Sequence, residues 1–385
     1  MSAEKDRIRS IKDDSKRPYR SFADFIKIFF RRFRSKNRAS VLLQTAVAII
    51  LALLAGAILV LIVGENPIKA YMALAKGSFG SWPAIARTLR VSSPLIITGL
   101  ATAVAFRAGV INLGVEGSLY LGALSAALAG IYIKGLPLAI HLPLALLVGA
   151  LVGGIWAFFP GLLKAFFGVD EIVASLMLNY IAVLLIDYLV LSFFLDPVIG
   201  TTSDRPATLP IPETAKLPFI SEKYGLTIGI LIGVVLAFIL AFMYKRSIWG
   251  FESDMSGYNR RFSLLGGVNI AKMNLFTMVI SGMLGGLAGA TESLGVYGRY
   301  VSGFSTGIGF DGVAVALMGN LSPLGTVVGA IFFGALKNGG AAMEVSVNVP
   351  RDIILVVEGL ILAVVTAHKL FIFLRLGLQK STEEI

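Results

Sequence analysis

The chain has 385 residues, 56% of them hydrophobic and 15% charged, with a net charge of +11 and a mean hydropathy of +0.82. A soluble domain carries roughly 25% charged residues, so this composition excludes one and is that of a polytopic membrane protein, with apolar runs long enough for a span of about 20 residues. With no cysteine and only His141 and His368, far apart, disulfides, thiolate metal sites and a paired-histidine metal centre are excluded as well.

In residues 1–40, thirteen Lys/Arg stand against five acids, an excess of eight positive charges ahead of the first apolar run. A basic segment can address nucleic acid or a membrane surface. The adjacent span assigns this one to the membrane as a cytoplasmic anchor under the positive-inside rule, with no nucleic-acid partner. Within it Phe22, Phe25, Ile26, Phe29, Phe30 and Phe33 recur at helical spacing around Lys27, Arg31 and Arg32. That pattern predicts an amphipathic helix on the cytoplasmic leaflet; a flexible basic tail is the plain alternative.

Spans follow at 41–63, about 88–106, 112–133, 140–160 and 172–194. Residues 195–224, with Pro197, Pro206, Pro210, Pro212 and Pro218, form one long polar loop before a sixth span at 225–244. A charged loop, 245–272, precedes a seventh span at 273–296. Residues 311–341 read as two short or broken helices separated by "GNLSPLG" (319–325), and a last span occupies 352–369. The expectation is an all-α membrane protein of about ten transmembrane helices with broken or re-entrant segments. Its transmembrane body covers 41–371 and a tail covers 372–385. An even number of spans puts both termini and the 245–272 loop in the cytoplasm, which suits the five Lys/Arg of "YKRSIWGFESDMSGYNRRFSLLGGVNIAK". The Pro-rich loop then lies outside.

"FRAGVINLGVEGSLYLGALSAA" and "GFDGVAVALMGNLSPLGTVVGA" share a glycine-rich break, an Asn and an LGxxxxA exit. Paired interrupted helices in two halves point to a transport path at a repeat interface, although glycine-rich helices also resemble one another by chance.

Catalytic chemistry finds no support. There is no G-x-x-x-x-G-K-[ST] loop for ATP and no Ser-His-Asp grouping, metal cluster or paired carboxylate. The informative residues are polar ones in or beside the spans: Asn112, Glu116, Asn179, Asp187, Glu292, Asp311, Asn320 and Glu358. An acid at the bilayer centre costs on the order of 2.5–3.5 kcal/mol, so such groups face a partner or water. Irregular backbone at that depth is tolerated only inside protein or along a cavity. These residues either line a polar route or cap helices and bond to neighbouring ones. The glycines of "GALVGG" (149–154) and "SGMLGGLAGA" (281–290) either pack helices closely or line a pore.

In the charged loop, "SGYNRRFSLLGGV" (256–268) predicts a short helix capped near Asn259 and stopped by Gly266 and Gly267. Its basic side (Arg260, Arg261) and apolar side (Phe262, Leu264, Leu265) suit docking to a partner's groove or lying on the lipid surface.

Four segments carry a family resemblance: "INLGVEGS" (111–118), "GVDEIVASLMLNY" (168–180), "GYNRRFSLLGGV" (257–268) and "GFDGVAVALMGNLSPLG" (309–325). Together they resemble the permease subunits of bacterial ABC importers of the branched-chain amino acid, simple-sugar and nucleoside group, over about 88–369. The nucleoside-type members are the nearest in pattern, because Asn112-Leu113-Gly114 stands where sugar-type members tend to have Asp-Leu-Ser. Ser118 and Glu358 depart from a common Gln, and Phe262-Ser263 from two alanines. The resemblance implies a multi-pass permease in the bacterial cytoplasmic membrane that pairs with a second permease, as a homodimer or heterodimer. It also implies a cytoplasmic ABC ATPase and an extracytoplasmic solute-binding protein. The same resemblance implies no cofactor in this chain, with ATP and Mg on the ATPase.

On that basis Asn112, Glu116, Asn179, Asp311 and Asn320 are the expected substrate-pathway residues. Glu116 is read as holding the glycine-rich backbone rather than touching the solute. Gly257, Asn259, Arg260, Arg261, Phe262 and Gly267 are the expected ATPase-coupling residues. An ion-gradient-driven secondary transporter is the rival from another class, and a simple sugar or vitamin-like compound the rival solute.

Overall fold

A computed structural model describes residues 50, 52–198, 205–347, 349–350, 352–357 and 359–360. The basic arm 1–40, the start of the first span, most of the last span with Glu358, and the tail 372–385 lie outside the described residues.

The described body is almost entirely helical. Helices α1 (Ala52–Ile62) and α2 (Pro67–Phe79) meet at a bend of 119°. The bend has a local cause: Asn66 caps α2 by accepting from Ile68 N at 2.9 Å, and Pro67 presets the first helical φ. The sequence reading has no helix at α2, whose two lysines and 13 residues make it too short and polar to register as a span. Next come α3 (Trp82–Arg107), α4 (Val115–Tyr132), α5 (Leu138–Phe167) and α6 (Glu171–Leu189), the last running on through a π-helical turn to Phe194.

After the Pro-rich loop come α7 (Gly229–Arg246), α8 (Ile248–Tyr258), α9 (Arg260–Leu265) and α10 (Ile270–Thr291), which is continued by a π-helical segment to Tyr297. A short α11 (Ile308–Met318) and a long α12 (Pro323–Val347) complete the series, and 352–357 is again helical. Seven described helices are long and apolar enough to cross a membrane, or eight if the bent α1–α2 pair is one span. With the first and last spans partly outside the described residues, ten is an approximate count.

One expectation changes at 311–341. The first piece is short, but the second is a 25-residue helix that runs straight through "KNGG" (337–340). Gly339 and Gly340 do not stop it because they are contact points. A Cβ on Gly339 would sit 2.5 Å from the Leu74 carbonyl, and one on Gly340 2.7 Å from Ile354.

The core lies between α3, α4 and α10, where Leu95, Ile96, Ile97, Leu100, Leu119, Ala123 and Ala288 are buried. The glycines of α5 and α10 are packing sites there. A Cβ on Gly153 would lie 2.7 Å from Gly286 Cα, and one on Gly289 would fall on the Leu119 carbonyl. Backbone against backbone is how helices associate where lipid supplies no hydrophobic drive. Conversely, α6 exposes Val173, Met177, Tyr180, Ile181, Leu184 and Tyr188 along one face, an apolar surface for lipid or another membrane chain.

The Pro-rich loop is tied down. Its hairpin pairs β1 (Phe219–Ser221) with β2 (Leu226–Thr227). Thr208 N donates to Tyr300 O at 3.0 Å, Ile211 N to Gly298 O at 2.9 Å, and Leu217 N to Leu294 O at 2.9 Å. The loop therefore seals one end of the α10 region, with Ile211, Ala215 and Leu217 buried.

Candidate functional site

The chain breaks between α3 and α4, at 108–114, and this break is stitched by side chains from three directions. Asn112 is fully buried. Its Oδ1 accepts from Gly114 N at 2.8 Å and its Nδ2 donates to Ser281 Oγ of α10 at 2.8 Å. Asn179 of α6 accepts from Gly117 N at 2.8 Å and donates to Leu113 O at 2.7 Å. Ser175, one turn earlier on α6, accepts from Leu113 N at 3.2 Å. Backbone groups that the break would leave orphaned are thus satisfied within the protein.

Glu116 lies in the first turn of α4 and is nearly buried. Its Oε1 accepts from Ser305 Oγ at 2.6 Å and its Oε2 from the Gly309 backbone N–H at 2.5 Å. Ser305 in turn accepts from Ile308 N at 3.1 Å and Gly307 N at 3.3 Å. One carboxylate and one hydroxyl therefore cap α11, whose first N–H groups have no helical acceptor. The charge also sits where two helix N-termini converge, which favours an anion. Tyr120 OH donates to Ser305 O at 3.0 Å and fixes the same segment from the next turn of α4.

Asp311 stands in the first turn of α11, beside this junction, and pairs with Lys337 of α12 at 2.7 Å. Unlike Glu116 it keeps some accessibility: its side chain is 18% exposed and that of Lys337 21%. Phe310 beside it is exposed as well. Asn320 is apart from the group. It ends α11 in a left-handed conformation, φ 52°, together with Leu321, φ 58°. An 11-residue helix separates it from the Glu116 junction, about 16 Å at 1.5 Å per residue.

The second group of expected residues forms a helical turn of its own. Asn259 Oδ1 accepts from Phe262 N at 3.1 Å and caps α9, which ends at Gly266 and at Gly267, φ 85°. Phe262, Leu264 and Leu265 are exposed on α9, and Tyr258 beside them. Gly257 is different: it is exposed, but a Cβ there would fall on the Arg107 carbonyl, so the side a side chain would occupy packs against the end of α3.

Three participants were not legible in the sequence. Ser305 and Ser281 are ordinary serines whose roles come from tertiary placement. Asp254, in the charged loop, accepts from both Arg107 Nε at 2.7 Å and Nη2 at 2.5 Å. Arg107 is a charge at the end of an apolar run, but nothing local names its partner. Among the described residues no group of His, Cys, Asp and Glu could hold a metal ion.

Residues 84–366 match the family model described as branched-chain amino acid transport system / permease component. The chain belongs to that family. This permease is 38% identical to the guanosine ABC transporter permease protein NupP of Bacillus subtilis, over 86% of this chain and 94% of that one. It is 31% identical to the nucleoside ABC transporter permease protein NupB of Lactococcus lactis, over 85% and 91%. It is 29% identical to the glucose ABC transporter permease protein TsgB13 of Haloferax volcanii, over 87% and 90%. No solved structure matches the permease at comparable significance.

Proposed function

We propose that this permease is the membrane-spanning subunit of an ATP-driven ABC importer that carries nucleosides across the bacterial cytoplasmic membrane. The observation that carries the reading is the 38% identity to a guanosine permease over nearly the whole of both chains. The working complex adds a second permease subunit, a cytoplasmic ABC ATPase holding ATP and Mg, and an extracytoplasmic solute-binding protein. Both termini and the 245–272 segment face the cytoplasm, and the Pro-rich loop faces outward to the binding protein.

Of the expected pathway residues, Asp311 is the one to meet the solute. A charged pair that stays partly accessible at membrane depth is unfavourable against hydrocarbon. The α11–α12 face therefore turns towards water or the second permease, and the solute passes along it. Asn112, Glu116 and Asn179 shape that route by holding the break and the start of α11. Asn320 sets where α11 ends. On the cytoplasmic side α9 offers Arg260, Arg261 and Phe262 to a groove of the ATPase.

Uptake of labelled guanosine by the full complex in proteoliposomes tests the solute, with unlabelled nucleosides, ribose, glucose and leucine as competitors. Competition by nucleosides alone is the expected result. No guanosine uptake, with labelled glucose or ribose taken up by the same complex, would favour the sugar reading, which the Haloferax relative supports. Uptake by this chain without ATPase or ATP would make it a secondary transporter.

A further inference from the structure

The segment that carries α9 is fixed to the stitched break by a side-chain strut. Arg107 is the last residue of α3, directly ahead of the break, and Asp254 lies on α8. The guanidinium meets the carboxylate through two bonds, Nε at 2.7 Å and Nη2 at 2.5 Å. A two-pronged bond of this kind fixes orientation as well as separation. The guanidinium also lies over the Tyr244 ring of α7, 3.9 Å from its centre, and Tyr244 packs on Trp249 of α8 with ring centres 5.3 Å apart. Arg107 is therefore held between the end of α7 and the middle of α8.

A second contact runs beside the first. Gly109 turns the chain at φ 78°, and a Cβ there would lie 3.0 Å from Gly257 Cα. Gly257 has room for no side chain either, because the Arg107 carbonyl occupies that place. Here the backbones of α8 and of the break touch directly. From α8 the chain passes through Asn259, whose N–H bonds Met255 O at 2.9 Å, straight into α9. From Gly109 it passes through Asn112 and Leu113 to Glu116, which holds α11.

We infer that Arg107 and Asp254 are positioning residues that couple α9 to the Glu116 junction: a displacement of α8–α9 carries the break with it and so moves the start of α11. The inference rests on the reading of α9 as the ATPase-docking helix. It is separable from a role in stability. The pair is half-buried, with roughly a quarter of each side chain exposed, so its loss also costs some stability; the ratio of uptake to hydrolysis in an assembled complex does not depend on that cost. What the fork supplies is directional stiffness between two elements.

The test measures guanosine uptake and ATP hydrolysis in parallel in the full complex, comparing the wild type with Asp254→Asn. The expected result is normal co-purification of the ATPase and normal hydrolysis. Guanosine moved per ATP should fall on the order of tenfold, within the 5–150-fold range of typical coupling between sites. Arg107→Lys keeps the charge over Tyr244 and loses the fork; it should show the same lowered ratio, and it serves if the first variant does not assemble. An unchanged ratio in an assembled variant, whether both rates fall together or neither does, would overturn the strut. Failure of the wild-type complex to show ATP-dependent uptake would instead sink the importer reading itself.

Discussion

Glu116 and Gly309, 193 positions apart in sequence, are joined by a 2.5 Å bond from the Gly309 N–H to the Glu116 carboxylate. The contact is closer than that bond alone requires. A Cβ on Gly309 would lie 2.6 Å from the Glu116 backbone nitrogen and 2.7 Å from its Cα. The first turns of α4 and α11 are thus pressed together, with one carboxylate completing the capping of α11. A buried charge tolerates such a place because both its oxygens accept hydrogen bonds and both helix N-termini favour it.

Glu116→Gln should therefore act as a structural lesion rather than a change of solute preference. The amide keeps one acceptor and turns a donor towards either Ser305 or Gly309, leaving one buried N–H or O–H unpaired at about 1–3 kcal/mol. The expected outcome is a lower thermal-aggregation midpoint in detergent, and guanosine uptake reduced without altered competition by other nucleosides. A changed competition profile would show instead that Glu116 reads the solute.

Gly309→Ala is expected to abolish accumulation of folded permease. Its new methyl meets the backbone of α4, which cannot move aside as a flexible side chain would. Gly266→Ala is the control from the α9 end. That Cβ would meet only the Ser263 and Phe262 carbonyls, at 3.4 and 3.5 Å, an ordinary contact. Size-exclusion profiles of the two variants in detergent should show a monodisperse peak for Gly266→Ala alone.

Much of this architecture could be read from the residues, and the reasons for what could not are specific. The spans at α4, α5, α6 and α10 follow from hydropathy, which reports the solvent a helix meets. The α9 cap at Asn259 follows from local chemistry, because an Asn ahead of a short periodic run and a Gly pair behind it leave few alternatives. Helix α2 was missed because its start signal, Asn66-Pro67, is sound but its lysines hide it from any hydropathy window. Helix α12 was cut short because a Gly pair reads as a stop unless the helix it packs against is known. The partners of Glu116 and Arg107 are long-range, and nothing within a few residues of Ser305 or Asp254 marks them. Polar residues beside glycine breaks were visible. Which of them are braces and which stay accessible depends on what folds over them.

Asn179 makes the sharpest case for a brace. Its amide gives one donor and one acceptor to the two sides of the same break, to Leu113 O and from Gly117 N. Asn179→Asp keeps the acceptor but sets a second oxygen against the Leu113 carbonyl, and Asn179→Leu loses both bonds. Each buried group left unpaired costs about 1–3 kcal/mol, so both variants should lose stability. Because the carboxylate adds repulsion, the Asp variant is expected to unfold at the lower temperature even though it is closer in shape. Equal stability of Asn179→Leu and wild type would show that the break holds without this residue.

The Asp311–Lys337 pair separates fold from function most directly. Removing one partner leaves the other charge in a poorly solvated place, whereas removing both relieves that penalty. Asp311→Asn and Lys337→Gln singly should each lower the yield of folded permease, and the double variant should recover most of it. Partial exposure keeps the single-variant cost below the 3–5 kcal/mol of a fully buried pair. If Asp311 meets the solute, the recovered double variant will still import guanosine poorly, with a raised half-saturation concentration at normal ATP hydrolysis. Wild-type uptake by the double variant would mark the pair as a pin between α11 and α12 and move the solute contact elsewhere on that face.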